Sequence, residues 1–525
     1  MAEDVVDVLI IGAGASGAAA AWSLAETKMR IVCLEQGDWM NPSDYPSTQR
    51  DWESQMNGRF SVSPNVRRGP FDYPINEDDS PISILNFNGV GGSTVLYSAH
   101  FPRLHPSDFR VRALDGVADD WPIDYRTLEP FFAENDRISG GWCSGIAGSP
   151  VPMGLMGEAL ARGFNTLGWH WWPSDSAIAT QDYEGREACA NLGPCHTGCA
   201  KGAKSSADVT YWPMARRAGV ELRTRCRVRE ILVDDNDMAT GVVYYDADGV
   251  ERRQRAEVVI VACNGVGTPR LLLNSTSARF PHGLANRSGL VGKNLMLHPW
   301  GRVQGIFDTP LASRYGPQGC CILSKEFYET DLARGFVRGY NIQVTRGPGP
   351  ATTARTGLAR GTIPWGAGHH EAFARAHDRT VNIGICCEDL PEAHNTVTLD
   401  AQRSDAHGIP AAKITYRMSE NTQRMLQHGL DRGTEVMKAA GAVEVYTEGP
   451  MRMAGWHLLG TARMGTDPER SVVNEWGRSH DVKNLFIVDG SVFVTSGGVN
   501  PTSTIQALAL YIADAMKQRL ANLFD

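Results

Sequence analysis

The sequence predicts an α/β fold of the Rossmann-like, dinucleotide-binding kind, interleaved with an α+β domain that carries its own sheet. Three observations predict it. The amino-terminal residues read as strand, glycine-rich turn, helix and strand. Strand-like runs return in the middle of the chain and near its end. The stretch between those returns has a separate pattern of strands and one long helix.

In chain order, Val5 to Ile11 is an apolar, β-branched run, Gly12 to Gly17 a glycine-rich turn, Ala18 to Leu24 a helical segment and Ile31 to Leu34 a second buried strand. Together they close a βαβ unit of about 30 residues. Gln36 to Pro81 turns to Pro, Asp, Asn, Ser and Trp with weak periodicity and reads as a long excursion or lid. Strand-like pieces at Val220–Leu222, Gly241–Tyr245 and Val258–Ala262 extend the first sheet, and Leu485–Val488 with a helix over Thr504–Phe524 completes it. Between them, strands at Gly339–Val344 and Val381–Cys386 and a helix over Glu420–Ala440 form the second domain. The expected division is 1–50, 82–105, 200–300 and 455–525 for the nucleotide-binding domain, with 51–81, 106–199 and 301–454 as substrate-binding domain, lid and cap.

The 525 residues are 42% hydrophobic and 21% charged, enough apolar material for a large core and too little charge for a disordered chain. A formal net charge of −8 and the lack of any dense basic run argue against nucleic acid as a partner. No apolar run reaches the roughly 18 residues of a membrane helix. Acidic residues stand where a secretory signal would carry positive charge, so a cytoplasmic protein is expected. Eleven cysteines fit reduced thiols better than a disulfide scaffold.

The turn Gly12-Ala13-Gly14-Ala15-Ser16-Gly17 follows a strand and opens a helix, and Glu35 ends the next strand, 18 residues beyond Gly17. Gly12 permits the tight turn, Gly14 lets backbone approach a pyrophosphate, and Gly17 lets helix and strand pack closely. The helix N-terminus, from Ala15 and Ser16, offers free N–H groups and partial positive charge to phosphates. Glu35 would accept from the ribose hydroxyls. These features do not separate FAD from NAD.

Three further segments make that separation. Asn88-Gly89-Val90-Gly91-Gly92-Ser93-Thr94 resembles the second glycine-rich flavin motif of the glucose-methanol-choline (GMC) family of FAD-dependent alcohol oxidoreductases. His457-Leu458-Leu459-Gly460-Thr461-Ala462-Arg463-Met464-Gly465 is similar to that family's catalytic-histidine segment. Asn484 to Ser491, running on to Gly498-Val499-Asn500-Pro501-Thr502-Ser503-Thr504, resembles its carboxy-terminal signature. The resemblance implies a GMC-type FAD-binding domain interleaved with a substrate-binding domain, His457 as catalytic base and Asn500 as its partner. Neutral imidazole suits removal of a hydroxyl proton near pH 7, while the Asn500 amide would donate to the oxygen and orient the carbon toward flavin N5. It also implies flavin contacts from Gly89, Gly91, Gly92, Ser93, Thr94, Asp489, Gly490, Asn500, Pro501 and Thr502. Asp489 reads equally as a capping acid. Val228, at the end of a middle strand, is a candidate backbone contact to adenine, although a valine there is more often core. Members with covalent FAD carry a histidine just after the Gly-Gly; that position is Leu96 here, with His100 four residues on, so dissociable FAD is expected.

Cys189, Cys195 and Cys199 lie in one Gly/Pro-rich loop with C-x5-C-x3-C spacing. Three thiolates there could meet at one soft metal centre. The spacing resembles the iron-sulfur segment of membrane-linked glucose dehydrogenases of the family, which makes a [3Fe-4S] cluster the candidate; zinc with His196 and a metal-free thiol loop are the alternatives.

The expected activity is oxidation of an alcohol to a carbonyl, the substrate a sugar, glycoside or polyol and the electron acceptor dioxygen, an acceptor protein or a quinone. Trp169, Trp171 and Trp172 could stack on a sugar ring, although aromatic clusters are more often core. A benzylic or alicyclic alcohol is the runner-up. A lyase or isomerase using FAD without net oxidation and a non-catalytic electron-transfer subunit are the other classes.

Overall fold

The computed structural model describes residues 4–142, 148–317 and 321–519. Its first sheet has seven strands. Val5–Ile11 sits centrally, paired in parallel with Ile31–Leu34 on one side and with Glu251–Val261 on the other. Glu221–Arg223 extends the sheet beyond Ile31–Leu34, also in parallel. Burial explains the composition of the central strand, since Val6, Val8, Leu9 and Ile10 have no exposed surface; a parallel strand covered on both faces reads as a continuous apolar run.

The 11-residue strand Glu251–Val261 belongs to two pairings. Its second half lies beside Val5–Ile11 and Leu485–Ile487, and its first half pairs antiparallel with Ala239–Tyr245, which in turn pairs with Arg227–Val233. On one side of the sheet the helix Ala15–Leu24 packs against the closing helix Thr502–Gln518. The alanines at 18 to 21 and at 507, 509 and 513 are buried and let the two backbones approach. The expected end of the last helix, from 520 to Phe524, lies outside the described residues.

A second sheet of six strands runs Glu444–Glu448, Trp300–Ile306, Thr380–Cys387, Tyr340–Thr345, Ile322–Ser324 and Trp172–Pro173, with antiparallel neighbours throughout. The helix Glu420–Ala439 covers one face. Tyr340, Ile342, Val344, Val381, Ile383 and Ile385 join its Met425, Leu426, Leu430 and Met437 in one apolar cluster. Glycines on both partners set the approach: a Cβ at Gly301 would lie 2.8 Å from Leu430 Cδ2, and one at Gly433 2.8 Å from Val303 Cγ2. Side chains alternate across a strand, so Gln343, Thr345, Asn382 and Trp300 present the opposite face of this sheet to a cavity.

A third sheet joins Thr396–Ser404 to Pro410–Thr415 and, in parallel, to Ile75–Asp79, and lies on the helix Asn264–Asn274. Leu128, Phe132 and Ile138 of the helix Tyr125–Ser139 share the apolar cluster of the first sheet. That helix, which lies in the 106–199 of the expected division, packs on the closing helix Thr502–Gln518. Among the described residues no helix is long and apolar enough to cross a membrane.

Candidate active site

At the end of the first strand, Gly12 has φ +101° and a Cβ there would lie 2.5 Å from the Ala262 carbonyl oxygen; one at Gly17 would lie 2.0 Å from the Gly12 carbonyl oxygen. No side chain caps the following helix, whose N-cap is Gly14, so its first N–H groups are open to a ligand. The second glycine motif closes on the first: Gly91 donates its N–H to the Ala13 carbonyl at 2.9 Å, and a Cβ on Gly92 would stand 2.7 Å from Gly14 Cα. Two strips of bare backbone thus touch along the wall of one cavity of about 490 Å³.

Gly12, Gly14, Ala15, Ser16 and Glu35 line that cavity, as do Gly92, Ser93, Thr94 and Val228, whereas Gly17, Gly89 and Gly91 are packed behind it. Glu35 accepts from the Ala13 and Gly37 backbone N–H groups, both at 2.8 Å, and burial raises its carboxyl to about 6. Asp489 lines the cavity with Gly490, but its carboxylate accepts from Asn264 N, Thr268 Oγ1 and Ser491 N at 3.1, 2.6 and 2.8 Å. It caps one turn and ties the helix Asn264–Asn274 to the last strand.

At the other end stand His457 and Asn500, with Pro501 and Thr502 beside them. Asn500 Nδ2 is 3.5 Å from His457 Nε2, and Gln343 Nε2 donates to Asn500 Oδ1 at 2.6 Å, which turns the Asn500 amino group toward the imidazole. Each comes from a different part of the chain: His457 from the loop after the second sheet, Asn500 from the start of the closing helix and Gln343 from the strand Tyr340–Thr345. Burial, then His298 and His100, holds the His457 imidazole well below its ordinary 6.5, so it is neutral. The bare glycine backbone, the uncapped helix end and a buried neutral imidazole in one cavity fit a dinucleotide with a reacting group at its far end.

Residues 6–300 match the family model for the amino-terminal part of GMC oxidoreductase, and 391–509 match its carboxy-terminal counterpart. The chain belongs to the GMC oxidoreductase family. It is 41% identical to 2-methyl-1,2-propanediol dehydrogenase of Mycolicibacterium austroafricanum, over 99% of this chain and 97% of that protein. It is 28% identical to the fructose dehydrogenase large subunit of Gluconobacter japonicus, over 97% of each. Among solved structures, formate oxidase of Aspergillus oryzae RIB40 superposes with a TM-score of 0.65 at 16% identity, over 99% of this chain and 100% of that one, which speaks to the fold.

One expectation for this GMC oxidoreductase finds no support in the structure. The [3Fe-4S] expectation at Cys189, Cys195 and Cys199 gains no support: among the described residues, the His/Cys/acid group with donor atoms mutually within 4.8 Å, the reach of one shared ion, is His298, Cys386 and His457. Within the loop, the Cys195 carbonyl accepts from the buried Lys204 Nζ at 2.7 Å, and the same Nζ donates to the carbonyls of Val95 and Tyr97 at 2.7 and 3.0 Å. His196 lines the cavity stacked on Trp456, with ring centroids 6.4 Å apart. Trp169 and Trp171 pack against the core under the second sheet and Trp172 pairs with Leu323; the indoles lining the cavity are Trp300 and Trp456.

Sequence reasoning missed His298, Trp300 and Gln343. His298 and Trp300 share the segment Asn294 to Trp300, which has neither periodicity nor a recognisable spacing. Gln343 carries a usable signal: it is a polar residue on the face opposite Ile342 and Val344 in a strand with both faces covered.

Proposed function

We propose that this GMC oxidoreductase uses FAD, held without a covalent bond, to oxidise an aliphatic diol or polyol to a carbonyl compound, with His457 as base. The carrying observation is the pair His457 Nε2 and Asn500 Nδ2, 3.5 Å apart in the cavity that the two glycine motifs wall. A hydroxyl oxygen can lie within about 2.8 Å of both. Asn500 then donates to that oxygen while His457 takes its proton, and Gln343 keeps the Asn500 amino group facing the site. Bound FAD supplies the acceptor of the hydride. The helix end at Ala15 and Ser16 would hold its phosphates, Glu35 its ribose, the backbone at Val228 its adenine, and Gly92 to Thr94 with Gly490, Pro501 and Thr502 its flavin. Leu96 lines the same cavity at the position where covalent members carry histidine, which supports dissociable FAD.

The substrate class is supported by the polar wall of the second sheet, Gln343, Thr345, Asn382 and Arg302, and by the diol that names the 41% identical relative. A sugar is the second reading, supported by the relative named for fructose. Dioxygen, an acceptor protein or a quinone then removes the electrons.

The test is anaerobic mixing of the flavin-loaded enzyme with 2-methyl-1,2-propanediol, fructose and a benzylic alcohol, following loss of flavin absorbance. The diol is expected to bleach the flavin, and His457→Ala to slow bleaching by about 10²- to 10⁴-fold, the usual worth of a general base. Unchanged bleaching in His457→Ala, or none with any alcohol, would overturn the reading.

A further inference from the structure

A neutral imidazole carries its proton on either nitrogen, and only the bare nitrogen can act as a base. Which nitrogen of His457 is bare follows from its neighbours. His457 Nδ1 lies 2.8 Å from His298 Nδ1, and His298 Nε2 is hydrogen-bonded to the Gly497 carbonyl. A carbonyl only accepts, so His298 Nε2 carries a proton. Burial brings His298 down to about 4, so near neutral pH its ring has a single proton and its Nδ1 is an acceptor. His457 Nδ1 must therefore donate, which leaves Nε2 bare toward Asn500.

We propose that His298, anchored on the Gly497 carbonyl, is a positioning residue that locks His457 in its Nδ1–H tautomer and so presents Nε2 as the base. This rests on the assignment of His457 as base made above. Three observations support it independently of that assignment. His298 has φ +52°, a left-handed conformation that few non-glycine residues adopt and that marks sites where the surroundings over-determine the backbone. Gly497 has φ +62°, and a Cβ there would lie 2.4 Å from Leu104 Cδ2, so the position of its carbonyl depends on glycine. The backbone bridge between Met296 and Leu459 sets the two histidines side by side, with rings 4.9 Å apart and nearly perpendicular.

Among the described residues, the other titratable groups facing the pair are Cys386, whose sulfur lies within 4.8 Å of a ring nitrogen of each, and His100. Burial keeps the Cys386 thiol protonated and brings His100 down to about 3, so both are neutral. A metal ion is a poor account of the cluster. Two imidazole nitrogens on one tetrahedral zinc would stand about 3.4 Å apart, whereas 2.8 Å is a hydrogen bond.

The experiment is long-range proton–nitrogen NMR on flavin-loaded enzyme labelled with ¹⁵N-histidine, His457 being assigned through His457→Gln. Wild type is expected to show a protonated Nδ1 and a bare Nε2. His298→Phe, which removes the acceptor, should shift His457 toward the Nε2–H form and lower kcat for 2-methyl-1,2-propanediol by about 10²-fold with little change in KM. His298→Gln can accept from His457 and donate to Gly497, and should restore both the tautomer and most of the rate. A bare Nδ1 in wild type, or wild-type tautomer and kcat in His298→Phe, would overturn the proposal. The tautomer reading needs no variant at position 298 to fold. A wrong tautomer with His457 still essential sinks this proposal alone, whereas a dispensable His457 sinks the assignment of the base.

Discussion

His457 is held neutral by burial first and by the nearby imidazoles of His298 and His100 second, all three acting against the charged form. An ordinary histidine base loses activity as pH falls through about 6.5. With the folded pKa depressed, the base stays unprotonated to lower pH, so the acid limb of kcat/KM belongs below 6.5. A pH profile of flavin reduction checks this, and an acid limb at or above 6.5 would contradict the environment described. The residue types were legible: an imidazole and a carboxamide in recognisable segments, His457 and Asn500. The company they keep was not, because His298 and Gln343 reach the site through chain crossings of 159 and 157 residues.

The best-read element is the amino-terminal βαβ unit, whose second strand spans Ile31–Leu34 as expected. Its turn makes a testable demand on the second glycine motif. Gly92 has φ +55°, and a Cβ would lie 2.7 Å from Gly14 Cα. Gly92→Ala adds left-handed strain of about 1–2 kcal/mol and drives the two backbone strips apart. Flavin retained through gel filtration should fall at least about tenfold relative to wild type, with secondary structure by circular dichroism unchanged; full retention would show that the strips have room to move. Other elements were harder to read. The strand Trp300–Ile306 was missed because Gly301 and Gly305 interrupt its apolar alternation, and those glycines are where Leu430 and Met437 of the covering helix press in. The helix Glu420–Ala439 was found because one face alone is buried and its period survives.

Across the whole molecule, a buried ion network ties the two domains together. Arg338, 1% exposed, donates to Asp115 and Glu388 at 2.9 Å each and also to Asp108. Asp108 and Asp115 flank the segment before the helix Tyr125–Ser139, while Arg338 and Glu388 belong to the second sheet's surroundings. Arg338→Leu leaves carboxylates buried without their cation and should cost about 3–5 kcal/mol, read as a lower urea midpoint. An unchanged midpoint would mean that the carboxyls are satisfied without it. Burial is the first cause of the raised Glu388 carboxyl, so the folded state holds a proton there that the unfolded chain releases above about 4.5. The contribution of this group therefore declines as pH rises above about 4.5 in wild type and Arg338→Leu alike, and the loss in Arg338→Leu should grow only above about pH 8, where the wild-type carboxyl ionises beside the guanidinium and the variant's lacks that partner.

Local order along the chain made the nucleotide-binding half legible: a β-branched strand, a glycine turn and an acid at the end of the next strand are neighbours in sequence, although what excludes a side chain at Gly12 is the distant Ala262 carbonyl. Long-range packing alone decided which carbonyls Lys204 reaches, which tryptophans face the cavity and which imidazole stands beside His457. These outcomes depend on groups far apart in sequence, 109 residues for Lys204 and Val95 and 159 for His298 and His457, competing for one buried space, and a hydrogen bond or a charge changes its worth only once water has been excluded around it.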